Sequence, residues 1–497
     1  MPGRKVSENG NVSVPVKQRK MHKLETEKNF RQKKFAIMFS CYIFVFLFLS
    51  LMGYIGYYSA THYQELLNNN YNGRQKVLQS KNTRGTIFAD NYDVLAQTVL
   101  DDAGDEVREY PFENIFSHVV GYTAKGKTGI EADYNYYLIN SSLPITEKLD
   151  AENKEEKVPA DNVVTTLNVN LQETVEKALG VYRGAVIVTE PSTGKILAMV
   201  SKPDFDPNRI ASIWEDVVAD TDSSSLLNRS TQGLYPPGST FKIFSALEYI
   251  RENPATYENY SYQCNGSFTC NGDKISCYHG TKHGLVSFRK SFAKSCNSSF
   301  ANIGVQLNKT SFAKTLDEML FNQPLSVKFN YKESSIQVSE DTSSYDMMQT
   351  AIGQGKTQIT PLQLNMVTGA IANGGKAMIP YVVDRIETAE KQVVKSYAPK
   401  MEKQIMTEEE AAILTDLMED VVEEGTGSKL SGLSYTAAGK TGSAEYNATK
   451  GDSHAWFTGF APVENPKICV TVIIEGAGSG GDYAVPIAKR VFDAYLD

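Results

Sequence analysis

A serine three residues ahead of a lysine can form a nucleophile and its base, because an ordinary serine hydroxyl attacks a carbonyl only when a neighbour takes its proton. The chain spells Ser-x-x-Lys five times: Ser192/Lys195, Ser239/Lys242, Ser287/Lys290, Ser291/Lys294 and Ser311/Lys314. The spacing does not choose among them, but the elements around each pair do. Ser192 lies in the turn "PSTG" between the apolar runs "GAVIVTE" and "KILAMVS", which read as strand, turn and strand. Ser287 and Ser291 fall in "VSFRKSFAKSCNSSFANIGVQL", whose periodicity predicts an amphipathic helix with Lys290 and Lys294 facing water. Ser311 opens "KTSFAKTLDEML", where it reads as a helix cap. Ser239 differs. The "PPG" before it forces a turn and "FKIFSALEYI" after it is helical, so its hydroxyl sits at the positive end of a helix dipole with Lys242 on the same face.

Two further motifs follow in order: "SCN" (Ser295–Asn297), placed on the predicted helix, and "KTG" (Lys440–Gly442), placed on the strand "YTAAGKTGSAE". Copies at Ser7, Ser80 and Lys127 precede the region that holds Ser239. Singly, each motif has a bland reading: a capped helix start, a helix-surface Asn, an edge-strand lysine. The ordered trio Ser-x-x-Lys, Ser-x-Asn, Lys-Thr-Gly is the signature of penicillin-binding proteins and class A β-lactamases.

The elements that must position these residues divide the 497-residue chain into four parts: residues 1–34, 35–58, 59–160 and 161–497. Phe35–Tyr58 is 24 residues without a charge, long enough as a helix to cross a hydrocarbon core of about 30 Å. A cleaved signal peptide would have a shorter apolar core. Before this span, ten Lys/Arg face three Glu, so the tail is +7 and is expected to stay cytoplasmic. The rest carries 40 basic and 55 acidic residues, a net charge of −15 that opposes binding to nucleic acid. Residues 59–160 read as a small non-catalytic, pedestal-like region ending in the charged linker "LDAENKEEKVPADN". Residues 161–497 hold strands at both ends with helices between, including "TEEEAAILTDLMEDVVEEG" with a capping box of Thr407 and Glu410. That order predicts an α/β fold, an antiparallel sheet flanked by helices.

Cys264, Cys270 and Cys277 cluster in a part of the chain expected to lie outside the cytosol, and a disulfide of Cys264 with Cys277 is the favoured pairing. A zinc site from this cluster with His279 and His283 is the alternative, although the spacing lacks a Cys-x2-Cys knuckle. Cys469, in "KICVTVIIE", reads as a buried strand residue.

The chain resembles the class B penicillin-binding proteins, membrane-anchored D,D-transpeptidases of bacterial cell walls. The similar segments are "RGTIFADNYDVLA", "YPFENIFSHVVGY", "GKTGIEADYNYYL", "SKPDFDPN", "LYPPGSTFK", "HGLVSFRKSFAKSCNSSF", "AIGQGKTQITPLQL" and "HAWFTGFAP". The resemblance implies that Ser239 attacks the penultimate D-Ala carbonyl of a stem peptide and Lys242 takes its proton. Ser295 would relay the proton to the leaving D-Ala amine, and Asn297 would hold the substrate amide. Lys440 and Thr441 would bind the terminal carboxylate, Gly442 would leave room along the strand, and the N–H groups of Ser239 and Ser443 would form the oxyanion hole. Cys296 falls inside the site, and Ser443 stands where the family often has Thr. The resemblance further implies covalent inhibition by β-lactams, no metal and no cofactor, and an integral-membrane glycan polymerase of the SEDS family as partner. A D,D-carboxypeptidase side activity is open to the same acyl-enzyme. The alternatives are a β-lactamase, or a non-catalytic penicillin-binding sensor or scaffold.

Overall fold

The computed structural model describes residues 15–62, 73–447 and 452–497. The chain divides into two units, Met1–Asn72 and Gly73–Asp497.

In the first unit one helix, Val16–Thr61, runs for 46 residues and buries no side chain. Phe35, Phe39, Phe44 and Phe48 all stand exposed on it. Its stretch Phe35–Tyr58 is apolar on every side, and such a stretch is stable where its surroundings are also apolar, which fits a membrane anchor.

The second unit is built on a five-stranded antiparallel sheet in the order Ala438–Asn447, Asp452–Ala461, Ile468–Ile474, Gly184–Thr189, Ile196–Lys202. The last strand in the chain, Ile468–Ile474, thus takes the middle of the sheet and pairs with the early strand Gly184–Thr189, Ile473 opposite Ala185. Side chains alternate across a strand. In Ile468–Ile474, Val470 and Val472 enter one apolar layer with Val186, Val188, Phe457 and Phe492, while Cys469 and Ile473 enter the other with Phe241, Phe244 and Trp456. Both faces are therefore covered, which is why the strand reads as an unbroken apolar run and why Cys469 is fully buried. Helices Val169–Leu179 and Val485–Leu496 cover one face. Helix Pro361–Ala372, almost wholly buried, lies against the other together with Glu408–Glu423, which packs on the strand Ala438–Asn447 and carries Lys242–Glu252 against it. The capping box on that last helix is present, Thr407 Oγ1 accepting from Glu410 N at 3.1 Å and Glu410 Oε2 accepting from Thr407 N at 2.8 Å.

A second sheet of six strands runs Val393–Ser396, Val383–Glu387, Asn162–Thr165, Ile87–Phe88, Val94–Leu100, Glu106–Glu109. It joins strands from either side of the 160/161 division made from the sequence. Beside it lies a buried ionic cluster. Glu131, fully buried, receives Arg108 Nε at 2.7 Å, Arg84 Nε at 2.8 Å and Tyr110 OH at 3.3 Å. Burial pushes the Glu131 carboxyl up, but Arg108 and Arg84 more than offset this and hold it below its usual range.

Candidate active site

Gly238–Phe241 forms a tight turn that runs straight into helix Lys242–Glu252. Gly238 has φ +53°, and a Cβ there would meet Ser443 O at 2.8 Å, so only glycine lets the turn lie this close to the Lys440 strand. The turn sets the Ser239 hydroxyl half-buried at the mouth of a cavity of about 500 Å³. Its floor and walls include Ser295, Asn297, Thr441, Gly442 and Ser443.

The sequence predicts one helix over Val286–Leu307; two are found. Phe288–Ala293 ends ahead of Ser295, whose φ of +55° breaks the run, and Asn297 begins the next helix, Asn297–Gln306. Residues two apart on a continuous helix do not face each other. The break turns both Ser295 and Asn297 toward Lys242, and backbone of this kind in a non-glycine residue costs of order 1–3 kcal/mol.

Lys242 is fully buried, and its Nζ lies within hydrogen-bond distance of Ser239 Oγ at 3.0 Å, Asn297 Oδ1 at 2.7 Å, Ser295 O at 2.7 Å and Ser295 Oγ at 3.2 Å. From the facing strand Lys440, also fully buried, donates to Ser295 Oγ at 3.0 Å and to Thr441 O at 3.1 Å. Burial lowers Lys242 to about 7. Burial, and then the charge of Lys242, push Lys440 well below the ordinary lysine range. A neutral amine beside a serine hydroxyl at the start of a helix is what an activated nucleophile requires.

Thr441 Oγ1 shares a hydrogen bond with Thr426 at 2.5 Å, and Gly480 N donates to Ser443 Oγ at 3.4 Å. A Cβ on Gly442 would meet Pro237 O at 3.0 Å and Trp456 Cβ at 3.1 Å. Sequence reasoning missed Thr426 and the segment with Ser479, Gly481 and Asp482, which line the cavity with Lys294 and Lys429. The glycine-rich "GTGSK" and "GSGGD" were the available signal.

The other four serines are accounted for structurally. Ser192 is in the turn between Gly184–Thr189 and Ile196–Lys202. Ser287 caps its helix by accepting from Lys290 N at 3.2 Å, and Ser291 Oγ accepts from Ser299 Oγ at 2.7 Å. Ser311 is not a cap: Asn308 is, its Oδ1 accepting from Ser311 N at 3.0 Å. Lys294 is also not free in water, since its Nζ bonds Glu424 O. Cys264 and Cys277 are free thiols with sulfurs 3.7 Å apart.

Comparison with known proteins gives the family. Residues 184–493 match the penicillin binding protein transpeptidase domain, and residues 84–151 match the penicillin binding protein A dimerisation domain. The peptidoglycan D,D-transpeptidase PbpA of Mycolicibacterium smegmatis is 31% identical over 453 residues, covering 85% of this chain and 91% of that one. Stage V sporulation protein D of Bacillus subtilis is 28% identical over 420 residues, 78% of this chain and 64% of that one. Among solved structures, the ceftriaxone acyl-enzyme of penicillin-binding protein A from Mycobacterium tuberculosis is similar with a TM-score of 0.77 at 27% identity, covering 84% of this chain and 99% of that one. With its fold, motif order and these relatives in agreement, the chain belongs to the class B penicillin-binding proteins, the serine-type D,D-transpeptidases.

Proposed function

We propose that this protein cross-links cell-wall peptidoglycan by acyl transfer through Ser239. The supporting observation is the single hydrogen-bonded cluster in which Lys242 reaches Ser239, Ser295 and Asn297 while Lys440 reaches Ser295 from the opposite wall. Ser239 Oγ attacks the penultimate D-Ala carbonyl, and neutral Lys242 accepts the proton as the C–O bond forms. The N–H groups of Ser239 and Ser443 receive the oxyanion, a contribution typically worth about 3 kcal/mol. As the peptide C–N bond breaks, Ser295 passes a proton to the departing D-Ala amine, and Asn297 holds the substrate amide. The substrate's terminal carboxylate lies against Lys440 and Thr441. Its charge favours the protonated form of Lys440 that burial alone disfavours. An acceptor amine from a second stem peptide then attacks the ester, and the same relay returns the proton to Ser239. β-Lactams enter the same path and stop at the ester.

The four-part division at 34/35, 58/59 and 160/161 belongs to this reading, with the basic tail in the cytoplasm and the catalytic unit outside. So does a membrane-embedded SEDS-family glycan polymerase lying against the anchor. Protease added outside wall-stripped cells digests the region after Tyr58 if the orientation is right, and protection of that region reverses it. The activity is tested with a synthetic stem peptide ending in D-Ala-D-Ala and an amine acceptor. Release of D-Ala with formation of the cross-linked dimer is expected, and release without any acyl transfer to the amine would reduce the protein to a carboxypeptidase.

A further inference from the structure

Cys296 stands between Ser295 and Asn297, and its side chain turns away from the cavity, fully buried, into a compartment that the transpeptidation chemistry does not use. Cys264 and Cys277 share that compartment, and His283, half-buried, reaches it from the cavity wall. The ligand atoms of these four residues all lie within 4.8 Å of one another.

The separate distances have a pattern. Cys264 and Cys277 sulfurs are 3.7 Å apart, Cys277 and Cys296 sulfurs 3.8 Å, and Cys264 Sγ and His283 Nδ1 3.4 Å. A tetrahedral zinc with Zn–S of about 2.3 Å and Zn–N of about 2.0–2.1 Å separates two sulfurs by about 3.8 Å and a sulfur from a nitrogen by about 3.5 Å. A disulfide would instead draw one pair to about 2.05 Å and leave a buried thiol over. Here the central sulfur is equidistant from both others, which favours no pair. The surroundings also suit coordinated thiolates: Ser298 N donates to Cys277 Sγ at 3.4 Å, and Ser298 Oγ lies 3.0, 3.3 and 3.4 Å from Cys264, Cys277 and Cys296. Donors of this kind orient ligands around a metal.

We propose that Cys264, Cys277, Cys296 and His283 form a structural zinc site that pins the Ser295–Asn297 break from behind. Binding displaces three thiol protons to solvent and changes no oxidation state. Three ligands come from the segment before the Ser295 helix break: Cys264 ends the strand Ser261–Cys264, Cys277 follows Asp273–Ser276, and His283 precedes Gly284–Ser287. The fourth is inside the motif. The zinc would therefore hold the segment 264–283 and the catalytic pair Ser295 and Asn297 as one piece. Cys270 and His279, candidates on sequence spacing, fall outside the group.

The full chain, purified in detergent under reducing conditions, is assayed for metal by elemental mass spectrometry and titrated with zinc against a chromophoric chelator. The expected result is one zinc per chain. Replacement by cobalt should give a thiolate-to-cobalt charge-transfer band. His283→Ala, which leaves the three buried cysteines in place, should weaken zinc retention by at least the about 10–100-fold seen when an outer-shell partner is lost. Cys270→Ser and His279→Ala should retain it, and circular dichroism melts identify any variant that is merely unfolded. The proposal is overturned if the reduced wild-type chain neither carries nor takes up zinc, or if the native protein maps with a disulfide among Cys264, Cys277 and Cys296. None of these readouts depends on transpeptidation.

Discussion

Lys242 and Lys440 approach one hydroxyl, Ser295 Oγ, at 3.2 and 3.0 Å, so a charge on either opposes a charge on the other. The repulsion lowers Lys440, whereas complete burial is what lowers Lys242 and gives the site its base. With Lys242 pushed down to about 7 by burial, its neutral form grows as pH rises through 7. A base must be unprotonated to accept the Ser239 proton, so the rate constant for acylation by a penicillin should rise about tenfold per pH unit below 7 and level off above it. Stopped-flow acylation across this range checks the sign: a flat profile, or one falling with pH, removes Lys242 from the role of base. The Ser239/Lys242 pair was legible because "PPG" and the helical run after it fix both residues locally. Thr426 was not, because its part in the site comes only from the packing of its loop on the Lys440 strand.

At the scale of elements, the strand Ala438–Asn447 and the Ser239 turn must pack without a side chain between them. Gly442 is the strand's own point of close approach, with Pro237 O at 3.0 Å and Thr240 Cγ2 at 3.1 Å from any added Cβ. Gly442→Val should force the two apart and lower the acylation rate by about 100-fold, the usual cost of an ångström-scale misplacement, while the melting transition stays cooperative. Unchanged acylation would show that the strand and turn do not set the geometry. The strands, the closing helix and the Thr407 capping box were readable from period and caps, since each is a local property. The helix break at Ser295 was not. Its amphipathic pattern continues through both pieces, with Phe288, Phe292 and Phe300 all in one core, so apolar periodicity does not register the left-handed residue between them.

For the molecule as a whole, what joins the region before residue 160 to the catalytic span is the six-stranded sheet, while the Arg84–Glu131–Arg108 cluster beside it ties the first region together. The segments "RGTIFADNYDVLA" and "GKTGIEADYNYYL" carry Arg84 and Glu131, but pairing across 47 positions leaves no local signature. Glu131→Ala would leave two buried guanidinium groups without their carboxylate. It should cost about 3–5 kcal/mol in chemical denaturation, and a loss under about 1 kcal/mol would mean the cluster does not stabilise the fold. The central claim, that Ser239 is the acylated residue, is tested most directly by intact-protein mass spectrometry after incubation with penicillin. The wild type, and variants with alanine at Ser192, Ser287, Ser291 or Ser311, should each gain the mass of one penicillin on a peptide containing Ser239. The Ser239→Ala chain, with an unchanged melting temperature, should gain nothing. An adduct that persists in Ser239→Ala, or that maps to a different serine in the wild type, would contradict the account.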